Sequence, residues 1–132
     1  MLGTFMPGEE GYYEPQLERT QFKIVDADIP ESFDVRQYFS ACTAITSRVR
    51  DQSSCGSCWA FGSTEALNDR YCITTGDAKT LLSPEDTNAC CTGSVCSSSK
   101  GCNGGYTTGA WNWFVQVTDK IVALYSLLIH LT

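Results

Sequence analysis

Eight cysteines in 132 residues constrain this chain more than any other feature. A reducing cytosol seldom keeps such a density, whereas small domains in oxidising compartments use disulfides to supplement a modest core. The positions are Cys42, Cys55, Cys58, Cys72, Cys90, Cys91, Cys96 and Cys102. Eight cysteines allow on the order of a hundred pairings, so spacing alone does not choose among them. The rest of the composition suits a folded domain, with 42% hydrophobic and 18% charged residues, far from the profile of disorder. A net charge of −6, with nine Lys and Arg scattered along the chain, argues against a nucleic-acid partner, because neutralising phosphates needs clustered cations.

Two of the cysteines lie in Gln52-Ser53-Ser54-Cys55-Gly56-Ser57-Cys58-Trp59-Ala60-Phe61, which fits the local signature of a nucleophilic cysteine. A sulfur that attacks a peptide carbonyl must be a thiolate, and the first turn of a helix favours negative charge. Cys58 is the candidate nucleophile. A helix is expected after it, since Ala60, Thr64, Leu67 and Tyr71 recur at i, i+4, i+7 and i+11, with Ser57 as its cap. A tight loop closed by Cys55 would bring the Gln52 amide beside the sulfur as an oxyanion donor. Such a donor contributes about 3 to 4 kcal/mol where one has been removed from an enzyme. Two other readings of the cysteines compete. Cys55 and Cys58 form a C-x-x-C pair open to redox chemistry, and with Cys90, Cys91, Cys96 and Cys102 they could hold zinc. Neither accounts for Gln52, the Trp-Ala-Phe continuation or the glycine pair at 104 and 105, so no metal or cofactor is expected.

Cys55 to Phe61 resembles the papain superfamily, and Gly62-Ser63-Thr64-Glu65-Ala66-Leu67-Asn68-Asp69-Arg70 is similar to its cathepsin B branch. Pro30-Glu31-Ser32-Phe33-Asp34-Val35-Arg36 resembles the start of the mature enzyme, the Cys90-Cys91 pair resembles a branch feature, and Gly101-Cys102-Asn103-Gly104-Gly105-Tyr106 resembles its substrate-binding strand. Leu2-Gly3-Thr4-Phe5 is similar to the end of a propeptide. The resemblance implies an incomplete α+β papain-like fold, mainly the helical left lobe with disulfide-stapled loops, the β-rich right lobe being absent. Residues 1–28 are then the C-terminal part of a propeptide or linker, 29–116 the N-terminal lobe of the peptidase domain, and 117–132 an unmatched apolar tail.

The same resemblance implies a thiol peptidase made as a zymogen, lysosomal or secreted for the parent enzyme. Its partners would be peptide or protein substrates and cystatin-like inhibitors. Gly56, Ser57, Asn103, Gly104 and Gly105 would bind substrate beside Cys58 and Gln52. It also implies the bridges Cys42–Cys72, Cys55–Cys102 and Cys91–Cys96, with Cys58 outside them and the partner of Cys90 expected in the missing part. The two long bridges would each contribute about 3 to 4.5 kcal/mol on an entropic account.

The chain departs from the pattern in three places. Ser53 replaces a glycine that commonly follows the glutamine, which bears on the backbone that carries Gln52. The loop between Cys91 and Cys102 is longer than usual. The mechanism also needs an imidazole to share the thiol proton and protonate the leaving amine. The one histidine, His130, sits in Leu127-Leu128-Ile129-His130-Leu131, without the small neighbours of the family's catalytic histidine. That histidine and its asparagine lie about 130 to 150 residues beyond the cysteine in the family. The isolated chain is therefore expected to be inactive. The alternative is a noncatalytic, disulfide-stapled fragment that binds peptides or an inhibitor, and an apolar face left by the missing lobe would be liable to association.

The remaining segments read coarsely. Ser83-Pro84-Glu85-Asp86 predicts a short helix with a serine cap, proline in its first turn and acids at its positive end. Ala110, Trp113, Phe114 and Val117 predict a third helix, with Trp111 and Trp113 as packing residues. Gly104 and Gly105 are read as giving a substrate access to the backbone, and Ser97-Ser98-Ser99 as a solvated loop. No hydrophobic secretory signal opens the sequence. The apolar run 121–131 is too short to span a bilayer, and the tail is expected to derive from a truncated or misannotated gene product.

Overall fold

Asp34 starts the first helical turn because its carboxylate accepts from the Arg36 backbone N–H at 2.9 Å, which caps α1 (Val35–Tyr38). The Arg36 guanidinium then forks onto the same carboxylate at 2.9 and 2.6 Å. The structure, a computed structural model, describes residues 29–117. After α1 come a 3-10 turn (Ser40–Cys42) and α2 (Thr43–Thr46), then α3 (Cys58–Thr75), α4 (Pro84–Cys90) and a second 3-10 turn (Ser94–Cys96). A last helix, α5, runs from 107 to 117, the end of the described residues. The propeptide reading, His130 and the apolar run 121–131 lie outside them, as does the tail apart from Val117.

Each helix that the sequence predicts is present. The α4 helix begins as its sequence dictates, with Ser83 accepting from the Asp86 N–H, Pro84 in the first turn and Glu85 and Asp86 beside the positive end. The α3 helix spans 18 residues and stops at Gly76, whose φ of +76° suits a residue without a Cβ. Among the described residues there is no strand; Gly56 and Asn103 form an isolated parallel bridge, and Gly105 is a bridge residue too. The segment that resembles a substrate-binding strand is instead coiled by its own backbone bonds, Lys100 N–H to Gly104 O, Asn103 N–H to Lys100 O and Gly104 N–H to Gly101 O.

Packing occurs in two small clusters. In one, Trp59, Ala60, the Cys91–Cys96 disulfide and Ala110 are fully buried, with Val95, Trp113 and Phe114 around them. The other joins the Cys42–Cys72 disulfide to Ile45, with Phe39, Ile73 and Ala78 at its edge. The third bridge is Cys55–Cys102, so the three disulfides are the pairs that the resemblance implies. Close approach in the first cluster needs Gly109, where a Cβ would stand 2.4 Å from the Cys96 carbonyl oxygen. Trp113 packs on this core, while Trp111 is edge-on to Phe114 at 5.5 Å with the Arg70 guanidinium 5.0 Å from its ring centre.

The buried face of α3 differs from the predicted stripe. Ala60 and Thr64 are buried, but Leu67 is half-buried and Tyr71 is 39% exposed, and the face continues through Ser63, Asn68 and Cys72. It is largely polar, and hydrogen bonds make that tolerable. Ser63 Oγ donates to Trp59 O at 2.8 Å, and the Thr64 and Thr87 hydroxyls pair at 2.9 Å to lock α3 to α4. Asn68 donates to Thr80 O at 2.9 Å and accepts the Leu82 N–H at 2.9 Å.

Truncation of Asn68 to alanine leaves the part-buried Leu82 N–H and Thr80 carbonyl without their partner and opens a cavity. The expected loss is about 3 kcal/mol, read from chemical denaturation with the disulfides intact, and a loss under 1 kcal/mol would refute it. The cap on α1 should be robust to acid. Hydrogen bonds from the Arg36 side chain and backbone hold the Asp34 carboxyl down at about 2 against an ordinary 3.8. A depressed folded-state value contributes stability above the unfolded value that is lost as pH falls through the folded one. The capped turn should therefore persist at pH 5 and loosen between about pH 4 and 2, as a carboxyl-carbon NMR titration of Asp34 would report.

Candidate active site

Cys58 is the first residue of α3, and the residue after it fixes where that helix begins. The Trp59 side chain is fully buried, and its Nε1–H donates to Gly101 O at 3.1 Å. The indole fills the place that a Cβ on Gly105 would occupy, which would lie 2.5 Å from Trp59 Cδ2 and 2.7 Å from Ser99 Oγ. Two further ties reinforce this contact: the Cys55–Cys102 disulfide, and the Gly56 N–H donated to Cys102 O at 2.9 Å. The loop before Cys58 and the loop at 101–105 therefore form one rigid unit at the start of α3.

Ser99 is part of that unit rather than of a solvated loop. It is buried, donates to Cys96 O at 2.7 Å and accepts the Tyr106 N–H at 3.1 Å. The neighbouring Ser97 and Ser98 take positive φ values of 53° and 59°, and this turns the chain sharply enough to bring Ser99 inside. Ser57 occupies the position before α3, but its side chain makes no capping bond. It is buried at 1% exposure, and its carbonyl accepts the Ala60 and Phe61 N–H groups at 2.9 and 3.0 Å.

Cys58 and Gln52 line one open cleft of about 530 Å³, together with Val49, Arg50, Asp51, Phe61, Gly62 and Glu65. Cys58 is half-buried and, like exposed Cys90, lies outside the three disulfides. The Gln52 side chain donates through Nε2 to Cys55 O at 2.7 Å, which orients its amide. Ser53 has a φ of +55° in the left-handed region, so the serine stands where a glycine would be unstrained. The Ser53 N–H donated to Asp51 Oδ1 at 2.7 Å supports that turn. Of the predicted substrate-binding residues, Asn103 is exposed beside Gly56 across the bridge, whereas Gly56, Ser57, Gly104 and Gly105 are buried. The face of Gly105 that lacks a Cβ is taken by Trp59, so internal packing accounts for this glycine.

Sequence reasoning missed the remaining wall of the cleft. Phe61, Gly62 and Glu65 follow Cys58 at i+3, i+4 and i+7, so the helical period starting from the sulfur itself was the available signal. Arg50 carried no such signal. Among the described residues, no cluster of His, Cys, Asp and Glu could hold a metal ion, and no helix is long and apolar enough to cross a membrane.

Cys58 thus opens a long helix beside the Cys55–Cys102 bridge and lines one cleft with Gln52. The family model described as papain family cysteine protease matches residues 29–125, and the chain belongs to that family. Within it the chain is cathepsin B-like. It is 51% identical over 89 residues to cathepsin B-like cysteine proteinase 5 of Caenorhabditis elegans, covering 67% of this chain and 25% of the relative. It is 48% identical over 101 residues to cathepsin B-like cysteine proteinase 6 of the same organism, covering 76% of this chain and 25% of the relative. Among solved structures, procathepsin B S9 from Trypanosoma congolense superposes with a TM-score of 0.64 at 27% identity, covering 86% of this chain and 36% of that one. The chain thus spans about a quarter of the length of these curated relatives and corresponds to part of a papain-like fold.

Gly105→Ala tests the packing role of this glycine. Its methyl group would push Trp59 off the 101–105 loop at an expected cost of about 1 to 3 kcal/mol, with a change in tryptophan fluorescence of the folded state. Unchanged stability would show that the glycine is not held by this contact.

Proposed function

We propose that this chain is the nucleophile-bearing lobe of a cathepsin B-like cysteine peptidase, which hydrolyses peptide bonds through the Cys58 thiolate. The observation that carries the reading is the placement of Cys58 in the first turn of an 18-residue helix, on the wall of the cleft that Gln52 also lines. Gln52 would donate to the oxyanion formed when the sulfur attacks the carbonyl carbon. Asn103 would offer backbone to an extended peptide at the rim, with Gly56, Ser57, Gly104 and Gly105 shaping the floor behind it.

Collapse of the tetrahedral intermediate requires a proton for the departing amine, normally given by an imidazole. The one histidine of the sequence, His130, follows no part of the family's motif. The isolated chain is therefore proposed to bind peptides or a cystatin-like inhibitor without turning them over. Residues 1–28 are proposed as the end of a propeptide, 29–116 as the lobe itself and 117–132 as an apolar tail, with the family match running on to residue 125. The disulfides suit a lysosomal or secreted parent.

Labelling with a peptidyl epoxide selective for papain-type cysteines, located by peptide mass spectrometry beside a peptidase assay, tests this directly. The expected result is modification of Cys58 in preference to exposed Cys90, with no turnover. Equal labelling of both thiols would count against an activated Cys58. Turnover abolished by Cys58→Ser would overturn the proposed inactivity.

A further inference from the structure

The stretch that delivers Gln52 to the cleft has no regular structure over residues 48–53. No backbone–backbone hydrogen bond joins residues 49–54 to other described residues. Val49, at its start, is 94% exposed. The Gln52 amide is tied downstream to Cys55 O at 2.7 Å, and an oxyanion donor contributes only if the loop that carries it is held where the charge develops. On its upstream side, among the described residues, the loop is held by one side chain. Arg50 turns inward until only 16% of its side chain is exposed, and its Nη1 donates to Leu82 O at 2.7 Å. Its Nη2 reaches Asn68 Oδ1 at 3.4 Å, and Nε lies 3.8 Å from Glu65 Oε1, an ion pair too long to be a hydrogen bond.

We infer that Arg50 is a positioning residue for Gln52, bracing the oxyanion loop against α3 and the 80–82 segment. The inference rests on the reading of Gln52 as an oxyanion donor. The geometry suits a brace rather than a core contact. Asn68 bonds to Thr80 O and the Leu82 N–H without using Arg50, so the node behind the loop has ties of its own. Leu82 O and Asn68 Oδ1 are two acceptors at different points, which a planar guanidinium can reach together and a single ammonium cannot. Glu65 and Arg50 both line the cleft, so the guanidinium lies beside the carboxylate on a wall where negative charge must develop.

Two alkylating probes on the full chain separate positioning from stability. A peptidyl chloromethyl ketone is attacked at its carbonyl and passes through a tetrahedral oxyanion before chloride leaves and the sulfur is alkylated. Iodoacetamide loses iodide by direct displacement and forms no oxyanion. The measured quantity is the ratio of the two rates at Cys58, by mass spectrometry, with Cys90 as the internal reference. Gln52→Ala should lower this ratio about tenfold or more. Arg50→Gln and the charge-preserving Arg50→Lys should each lower it several-fold. Neither should lower it further when combined with Gln52→Ala, because a residue acting through Gln52 has nothing left to position. An undiminished ratio in Arg50→Lys, or losses that multiply in the double variant, would overturn the inference while leaving the Gln52 reading intact. An unchanged ratio in Gln52→Ala would sink that reading and the inference with it. Circular dichroism and the native disulfide pattern establish folding, and Arg50→Lys, the milder change, decides the matter if Arg50→Gln does not fold.

Discussion

Trp59 is the joint on which the lobe depends. Its ring fills the space beneath Gly105, its N–H is bonded to Gly101 O, and its backbone lies in the first turn of α3 directly after the nucleophile. A large rigid side chain buried in this way fixes both the height and the rotation of the helix end. The Cys55–Cys102 bridge and the Gly56–Asn103 contact then have only small errors to remove. The aromatic contributes little to the chemistry itself, yet it determines where the thiol of Cys58 stands relative to the loop that carries Gln52.

The interior around this joint is small and polar. Each apolar cluster contains a cystine, and the helix between them buries Ser63, Thr64 and Asn68 where a larger domain would bury leucines. Such groups cost free energy unless every donor and acceptor is met. Here the 80–82 segment and α4 meet Asn68 and Thr64, through Thr80 O, the Leu82 N–H and the Thr87 hydroxyl, and Trp59 O of α3 itself meets Ser63. Specificity of packing comes from matching bonds as much as from filling volume, with covalent bridges supplying what a modest hydrophobic core does not.

That division explains what could be read in the sequence. The start of α3 at Cys58 and of α4 at Pro84 were legible because caps, proline and nucleophile motifs are local signals. The helix after the glycine pair was legible because Ala110, Trp113 and Phe114 repeat with the helical period. The true inner face of α3 was not, since periodicity arguments count apolar residues and this face turns inward on Asn68 and Ser63 while Tyr71 faces water. Ser99 was misread for a related reason: a run of serines suggests solvent, and only the positive φ values at Ser97 and Ser98 bring the third serine inside. The segment 101–106 resembled a strand by motif, but bridge positions at Asn103 and Gly105 separated by internal turns are what it forms among the described residues.

Ser53 shows how these restraints combine at the site. A non-glycine residue in the left-handed region costs about 1 kcal/mol or more, and nothing in the residue itself repays it. The neighbouring ties hold it there. Asp51 accepts the Ser53 N–H, Arg50 holds the chain upstream, and Gln52 closes downstream onto Cys55 O, whose own position is set by the bridge to Cys102. Strain at a single residue is thus fixed between a guanidinium on one side and a disulfide on the other. The loop is tied at its two ends and strained in the middle, which keeps Gln52 on the cleft that Cys58 also lines.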